Sequence, residues 1–277
     1  MVPRVWFRVL TVPWVLVLVP VQVLNAQQPR FTEASVTSTA VPGGARPVSR
    51  VAEDGGYIAA DVTLRNLIEA AYRRTGFDQR VVVGGPEWID SDRFDIQAKS
   101  ADGLILDADG FPQHSLRMLQ QLLKERFQLI VATRADQQPV YALVAAKNPG
   151  PGLKLSTVDC AAQQRASSKG QRDGKMCGAA PYSGRLVATG LKLRDLASLI
   201  EPYLDRRVID RTGIDATFDI ELEGVEIKPP GPFGPSYRPS DTKRSIFELI
   251  ESQLGLRLEP TTAAIDVIVV VSAERPR

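Results

Sequence analysis

Apolar residues recur at helical spacing in several short segments of the chain. Leu64 to Tyr72 carries apolar side chains at positions i, i+3, i+4, i+7 and i+8, which predicts a helix with one buried stripe. This helix is predicted to end at Gly76, because glycine tolerates a left-handed cap. Ile246 to Leu254 follows the same pattern and is predicted to stop at Gly255.

Between these helices the chain carries runs of β-branched residues, either continuous or alternating with polar ones. Such runs are typical of strands. The predicted strands are Phe31–Val36, Val81–Val83, Phe94–Lys99, Leu129–Val131, Val140–Ala146, Val208–Ile209, Phe218–Leu222 and Ile265–Val271.

A short frame, Leu-Arg-x-Leu, recurs along the chain and is predicted to open each helix. Its copies are Leu64–Leu67, Leu116–Leu119 and Leu193–Leu196, with the variant Ile246–Leu249. The first two copies are 52 residues apart and the last two are 53 apart, so the copies form two pairs. Sliding the first pair onto the second also aligns Phe94-Asp95-Ile96 with Phe218-Asp219-Ile220. This favours duplication of one unit over chance recurrence of short apolar frames.

Short helices interleaved with strands bury their stripe on a sheet, which predicts an α+β fold. We expect two tandem pseudo-repeated βαββαββ units, with helices packed on small mixed sheets. The first unit spans residues 27–147 and the second spans 184–277, with a linker at 148–183. The second unit contains a Pro/Gly-rich segment, 228–240, which is predicted to be an inter-element loop. An extended ligand for another protein is the alternative.

The N-terminus has the composition of a secretory signal peptide. Arg4 and Arg8 precede an apolar stretch, Val9 to Val23, that is too short to span a bilayer as a helix. We predict cleavage after Ala26, which places the mature chain in the periplasm or outside the cell. The alternative is an uncleaved membrane anchor, because Leu24 is larger than the usual residue at the third position before a cleavage site.

The mature chain is predicted to carry no net charge. Residues 1–26 hold two of the 34 basic residues, so 32 remain against 32 acidic residues. Nucleic acid is therefore not an expected partner, since phosphate binding needs a basic surface. The mature part also has no apolar run long enough for a membrane span.

The two cysteines, Cys160 and Cys177, lie 17 residues apart in a polar segment. In an oxidising compartment they are predicted to form one structural disulfide. A zinc site lacks a nearby histidine, and the spacing is not the C-x-x-C of a redox pair. We predict no metal site and no cofactor.

The candidate catalytic residues form no recognisable constellation. His114 is the single histidine, and its neighbour Ser115 would point about 100° away from it on a helix. The segment Asp102–Gly110, with Asp107 and Asp109, lacks the residue order of a calcium loop. Asp90 and Asp92 are the carboxylate pair that could serve hydrolysis.

Three further motifs are predicted to be structural. Asp210–Gly213 is similar to the phosphorylated loop of P-type pumps, but the rest of that machinery is missing, so we interpret it as a turn. Gly84-Gly85-Pro86 is not followed by a phosphate-binding frame and is interpreted as a turn too. Trp88 is predicted to cover the core, with anchoring of a partner as the alternative.

Two family resemblances rest on these segments. Val62–Val83 and Ser245–Val271 resemble the short N-terminal (STN-like) domain of secretins and TonB-dependent receptors, which implies docking onto envelope proteins. Nearly the whole mature chain resembles a large family of exported bacterial proteins of unknown function that is abundant in acidobacteria. The segments that carry the second resemblance include Gly84–Trp88, Arg93–Ile96, Pro139–Val144 and Val208–Gly213. Neither resemblance implies catalytic residues.

Two functions follow as hypotheses. The first is a non-catalytic protein-binding or scaffolding module of the cell envelope, in which sheet edges pair with a strand of a partner. The alternative is a carboxylate-dependent hydrolase with a cleft between the two halves.

Overall fold

A computed structural model describes residues 28–39, 47–78, 80–146, 150–167, 177–182, 185–225 and 245–276. The predicted signal peptide at 1–26 and the loop at 228–240 lie outside the described residues. The predicted unit boundaries near residues 147 and 184 also fall outside them, so these boundaries stay predictions. No helix in the described ranges is long and apolar enough to cross a membrane.

The described residues of the first half form six strands and three helices. Its elements are β1 (Glu33–Ser38), β2 (Val48–Val51), β3 (Tyr57–Thr63), α1 (Leu64–Ala71), β4 (Val81–Gly84), α2 (Trp88–Ser91), β5 (Arg93–Lys99), α3 (Gln113–Arg126) and β6 (Ile130–Ala145). Helix α1 begins where the Thr63 hydroxyl accepts a hydrogen bond from the backbone N–H of Asn66. This N-cap satisfies one of the free donors of the first helical turn.

The second half has a similar order. Its elements are β7 (Leu153–Leu155), α4 (Cys160–Ser167), β8 (Gly178–Tyr182), β9 (Arg185–Lys192), α5 (Leu193–Ile200), a 3₁₀ turn (Glu201–Tyr203), β10 (Val208–Asp210), β11 (Thr217–Glu223), α6 (Ile246–Leu249), a π-helical turn (Ile250–Leu254) and β12 (Leu256–Ser272). Ser245 and Glu248 form a capping box at the start of α6. Gly255 ends the π-helical turn in the predicted left-handed conformation, with φ 65°.

The strands form three four-stranded sheets, and the two outer sheets have the same order. One outer sheet runs β1-β5-β3-β2 and the other runs β7-β11-β9-β8, and all their neighbours are antiparallel. If the strands are numbered within each half, both outer sheets therefore have the order first, fifth, third, second. The predicted α+β class is confirmed, although the outer sheets are antiparallel instead of mixed. The common origin of the halves by duplication stays a prediction.

The central sheet is mixed and takes strands from both halves, in the order β10-β6-β12-β4. Strands β6 and β12 are antiparallel along their whole length, from Leu256 opposite Ala145 to Ser272 opposite Ile130. We call this pair the central ribbon. Strand β10 joins β6 in parallel, and β4 joins β12 in parallel. The two strands predicted at 129–131 and 140–146 are thus the ends of one long strand.

Two hydrophobic cores lie at the two ends of the central ribbon. The first core contains side chains of α1, α3 and the first outer sheet, together with Ile268 and Val270 of β12. The second contains side chains of α5, the π-helical turn and the second outer sheet, together with Leu143 of β6. Each half therefore completes its core with a strand that the other half contributes.

The same β-bulge occurs in both outer sheets. In β3 the register shifts between Ala59 and Val62, and Asp61 adopts φ 54° while its N–H donates to Asp95 Oδ1 at 2.8 Å. In β9 the equivalent residue is Gly190, at φ 67°, whose N–H donates to Asp219 Oδ1 at 3.2 Å. The repeated Phe-Asp-Ile segments therefore supply the aspartate that holds the bulge in each half.

Two expectations about the helices were wrong. Helix α1 ends at Ala71 with Tyr72 as its cap, and Gly76 is not among the residues with positive φ. Helix α3 begins at Gln113, so Leu116 lies in its first turn and does not open it. The buried Ser115 hydroxyl donates to the Gly55 carbonyl at 2.8 Å, which ties the start of α3 to the turn before β3.

The predicted disulfide between Cys160 and Cys177 is confirmed, with a Cα–Cα distance of 5.6 Å. It connects α4 to the start of β8 and lies directly against the bulge in β9. A Cβ added to Gly190 would approach Cys160 Sγ to 2.1 Å. The close approach leaves no room for a Cβ at this position, and the positive φ also favours glycine.

We expect the double substitution Cys160→Ala, Cys177→Ala to lower the free energy of unfolding by about 3 kcal/mol, because the cross-link restricts the unfolded chain. Urea unfolding with and without a reductant measures the effect. The reductant should bring the wild type to the midpoint of the variant and leave the variant unchanged. An unchanged wild-type midpoint after complete reduction would contradict the expectation.

Candidate functional site

A cavity of about 460 Å³ lies between the two halves. We call it the inter-half cavity. Its lining comes from β2, α1 and the segment after α1 on one side, and from α5 and the 3₁₀ turn on the other. The lining residues are Ser49, Asn66, Glu69, Ala70, Arg73, Gly76, Phe77, Asp78, Arg80, Ser198, Leu199 and Pro202. Its volume is within the range of small-molecule sites, roughly 300–1,000 Å³.

Helix α1 positions one side of the cavity through its own periodicity. Its apolar stripe, which includes Leu64 and Ile68, is fully buried in the first core. Asn66, Glu69 and Ala70 are spaced i, i+3 and i+4, so they share the opposite face of the helix, and Arg73 follows just after the helix ends. Burial of the stripe therefore turns this mixed polar face toward α5.

Burial changes the ionisation of two residues in the cavity. Loss of solvent raises the pKa of the Glu69 carboxyl, and hydrogen bonding to Asn66 partly offsets this effect. Loss of solvent also lowers the pKa of the Arg80 guanidinium, whose side chain is only 8% exposed. Asp78 opposes that shift, with its Oδ2 atom 3.7 Å from Arg80 Nη1. The cavity thus contains partly buried groups of both charge signs.

The structure does not bring His114 and Ser115 together as a catalytic pair. His114 Nε2 lies 2.9 Å from Asp102 Oδ2 at the surface. The Ser115 hydroxyl is buried and bonded to the Gly55 carbonyl. The serine has a structural partner in the turn before β3, and neither residue lines the inter-half cavity.

The carboxylate pair Asp90 and Asp92 lies outside the cavity as well. Asp90 accepts two hydrogen bonds from the Arg65 guanidinium, which lowers the pKa of its carboxyl. Asp92 Oδ2 accepts from Arg275 Nε at 2.7 Å, and the same guanidinium lies over the Trp88 ring. Trp88 is partly buried and packs edge-on against Phe94 of the first core. These contacts connect α2 to Arg65 of helix α1 and to Arg275, which follows β12.

The acidic segment near residue 107 is a structured turn. Asp107 Oδ1 accepts hydrogen bonds from the N–H groups of Asp109 and Phe111. Asp109 in turn binds Lys192 and Arg194 of the second half, at 2.9 and 2.6 Å. In the described ranges, no three His, Cys, Asp or Glu side chains gather in a way that could hold a metal ion.

The remaining motifs are turns. Asp210 Oδ1 accepts from the N–H and the hydroxyl of Thr212, and Gly213 has φ 70°. Gly84 and Gly85 have φ 72° and 85° before the short helix α2. Both segments serve to reverse the chain after short strands of the central sheet.

Sequence reasoning did not find Glu69, Arg73, Asp78 or Arg80 as site residues. A signal was present, because the polar face of α1 carries charged side chains at 69 and 73 directly opposite its apolar stripe. On a single helix this pattern also fits a solvated surface. Only the approach of α5, from the other half of the chain, makes it the wall of a cavity.

The sequence matches the family described as "Protein of unknown function (DUF3738)" over residues 65–273. The chain belongs to this family. The match runs from α1 to the end of β12, so it includes the central ribbon and both helices that face the inter-half cavity. No match was found among curated proteins or among solved structures. The expected membership in a family of unknown function is confirmed.

We expect Glu69→Gln to stabilise the protein more at pH 7 than at pH 4. The raised pKa means that the folded state holds the Glu69 proton more tightly than the unfolded state does. The stability contribution of Glu69 therefore falls as the pH rises from the carboxyl pKa of the unfolded state through the raised pKa of the folded state. Glutamine does not ionise, so it removes this loss of stability. Urea unfolding at both pH values measures it, with the exposed Glu259→Gln as control. Equal effects at pH 4 and pH 7 would contradict the expectation.

Proposed function

We propose that this chain is an exported protein of the cell envelope that binds another protein by strand addition and performs no catalysis. The observation that carries the proposal is a long free edge on strand β6. One side of β6 is paired with β12 throughout, whereas β10 covers only Tyr141–Leu143 on the other side. In the described part of the chain, no strand pairs with the outer side of Ile130–Pro139.

The free edge is accessible as well as unpaired. Ala132, Thr133, Arg134, Ala135 and Gln137 are all exposed, so no helix or loop among the described residues covers the strand here. The free stretch is roughly 30 Å long, which accommodates an extended peptide. Free strand edges of this kind recruit partner strands through main-chain hydrogen bonds.

The direction of the backbone groups along the edge follows from the observed hydrogen bonds. The N–H of Tyr141 donates outward to Arg207 of the neighbouring segment, whereas the N–H of Ala146 donates to Gly255 at the start of β12. Strand groups alternate in direction, so odd-numbered residues present their N–H and C=O groups outward. Pro139 is odd-numbered, and its missing N–H therefore removes nothing from the pairing with β12.

Apolar side chains are exposed at the end of the central ribbon where this edge begins. Ile130 is 57% exposed and Val271 of the adjacent strand is 61% exposed. Large apolar side chains next to a free strand edge add side-chain contacts to the main-chain pairing. This end of the central ribbon is where we expect the partner strand to be anchored.

Export to the envelope is supported by other features. The first 26 residues have the pattern of a signal peptide, and the disulfide is typical of proteins that fold in an oxidising compartment. The resemblance of Val62–Val83 and Ser245–Val271 to the short N-terminal domain of secretins also favours docking onto an envelope protein. That resemblance and the abundance of the family in acidobacteria stay predictions.

We expect Ala135→Pro to abolish binding of the partner while leaving the fold intact. Proline removes an outward N–H but no hydrogen bond to β12, so the free energy of unfolding should change by less than about 1 kcal/mol. Affinity capture from the envelope fraction of the source organism, with the disulfide-intact protein as bait, measures binding. Ala135→Val keeps the N–H and serves as the matched control.

The wild type and the valine variant should retain the same protein, and the proline variant should lose it. Equal retention by all three baits would mean that the edge is not the binding site. Failure of the wild type to retain any protein, together with a monomer in solution, would contradict the binding function itself.

A second candidate function is hydrolysis in the inter-half cavity. It is favoured by the two carboxylates that line this cavity, Glu69 and Asp78, because a carboxyl with a raised pKa suits a general acid. We expect that, if this function holds, a screen of peptides, glycans and esters finds an activity that Glu69→Gln lowers by at least about 100-fold. Asp90→Asn, outside the cavity, is the control. Equal activity of Glu69→Gln and the wild type would exclude this role.

A further inference from the structure

The free edge of β6 is complementary to itself about Ala135. Among the described residues, its unpaired stretch runs from Ile130 to Pro139. Ala135 lies in the middle of this stretch and, as an odd-numbered residue, directs its N–H and C=O groups outward, as Tyr141 does. A two-fold axis through Ala135 would therefore set the edges of two copies side by side as antiparallel strands.

Main-chain hydrogen bonds would fill the free stretch in this arrangement, which we call the Ala135 register. Ala135 would lie opposite Ala135 of the second copy, with Thr133 opposite Gln137 and Val131 opposite Pro139. Each of these residues except proline would donate its outward N–H to the carbonyl opposite. Pro139 has no N–H, but it lies at the end of the ladder, so only the last hydrogen bond is missing. The ladder would stop just before β10 takes over the same side of β6, where Val208 pairs with Tyr141.

The charged side chains of the edge agree with the same register. Within one chain, Arg134 Nε and Nη2 donate to the Asp136 carboxylate at 2.6 and 2.9 Å. In the Ala135 register, Arg134 of each copy would also lie opposite Asp136 of the other copy. The four charges would then alternate in sign, and opposite charges that face each other across two strands stabilise the pair.

Neighbouring registers lack this charge complementarity. An axis through Arg134 would place the two arginines opposite each other, and an axis through Asp136 would do the same to the two aspartates. Like charges directly opposite each other destabilise a strand pair. The charge pattern therefore selects the Ala135 register. Because the pattern is its own complement, it favours a second copy of this chain as the occupant of the edge.

The size of the contact sets the expected strength of association. The edge is exposed and carries small side chains at Ala132 and Ala135, so a second strand can approach it closely. A single strand pair of this length is nevertheless small beside the roughly 1,200–2,000 Å² that stable interfaces bury. We therefore expect a dimer that dissociates on dilution.

We propose that two copies of this chain associate through β6 in the Ala135 register and join their central sheets into one continuous sheet. This inference rests on the proposed function, strand addition at the free edge, and it names the partner strand. The protein that the wild-type bait retains from the envelope fraction is then expected to be the chain itself.

Sedimentation velocity of the full mature chain over a range of concentrations tests the association. We expect the wild type to shift reversibly from monomer to dimer as its concentration rises. Ala135→Pro removes the central outward N–H of both copies, so it should weaken the dimer at least tenfold. Ala135→Val keeps this N–H and should dimerise as the wild type does.

Charge-swap variants test the register. Arg134→Asp and Asp136→Arg each place like charges opposite each other, so each variant alone should dimerise at least tenfold more weakly than the wild type. An equimolar mixture of the two variants opposes acidic with basic side chains and should restore the dimer as a mixed pair. The double variant Arg134→Asp, Asp136→Arg should also restore it. Circular dichroism checks that each variant is folded.

Three results would overturn the proposal. The first is a wild type that stays monomeric at every concentration. The second is a dimer that neither Ala135→Pro nor the charge variants weaken, since the contact would then lie elsewhere. The third is a mixture of the two charge variants that stays as monomeric as its components, which would reject the Ala135 register.

The same measurements separate this inference from the proposed function. A monomeric wild type that still retains a different protein, which Ala135→Pro loses, would reject self-association and leave strand addition standing. A monomeric wild type that retains no protein would reject both.

Discussion

The fold depends on the antiparallel pairing of β6 with β12. These two strands are distant in sequence, yet they pair from Ile130 to Ala145 without interruption on the β6 side. Because β12 supplies Ile268 and Val270 to the first core and β6 supplies Leu143 to the second, the pairing closes both cores at once. In the same arrangement α1 and α5 line opposite sides of the inter-half cavity.

The length of the ribbon also explains why part of it is exposed. The cores cover its two ends, and the residues between them, such as Arg134 and Gln137 on β6, remain in solvent. Strand edges in solvent are usually blunted by charged residues or by proline. Here Arg134 and Asp136 form an ion pair along the strand and Pro139 closes the free stretch, but no strand of the described residues pairs with the outward groups before Pro139.

The sequence was sufficient for the local elements and insufficient for their assembly. The stripe of α1, the stop at Gly255 and the disulfide were predicted, because each depends on residues close in sequence or on a single pair of cysteines. The polar middle of β6, around Asp136, divided one strand into two in the prediction, since its periodicity is lost where no core lies beneath it. The site residues Glu69 and Arg80 were missed because their role depends on α5, which lies more than 100 residues away.

The crossed contribution of strands sets the order in which this chain can fold. During synthesis the first half emerges before the second, but its core lacks Ile268 and Val270 until β12 has been made. Early docking of α1 and α3 on the first outer sheet would leave an apolar gap where the last strand inserts. Closing that gap requires contacts of very large sequence separation, which slow folding and prolong the exposure of apolar surface. The first half therefore cannot complete its fold before the second half is present. We expect insertion of β12 to be the slowest step of folding.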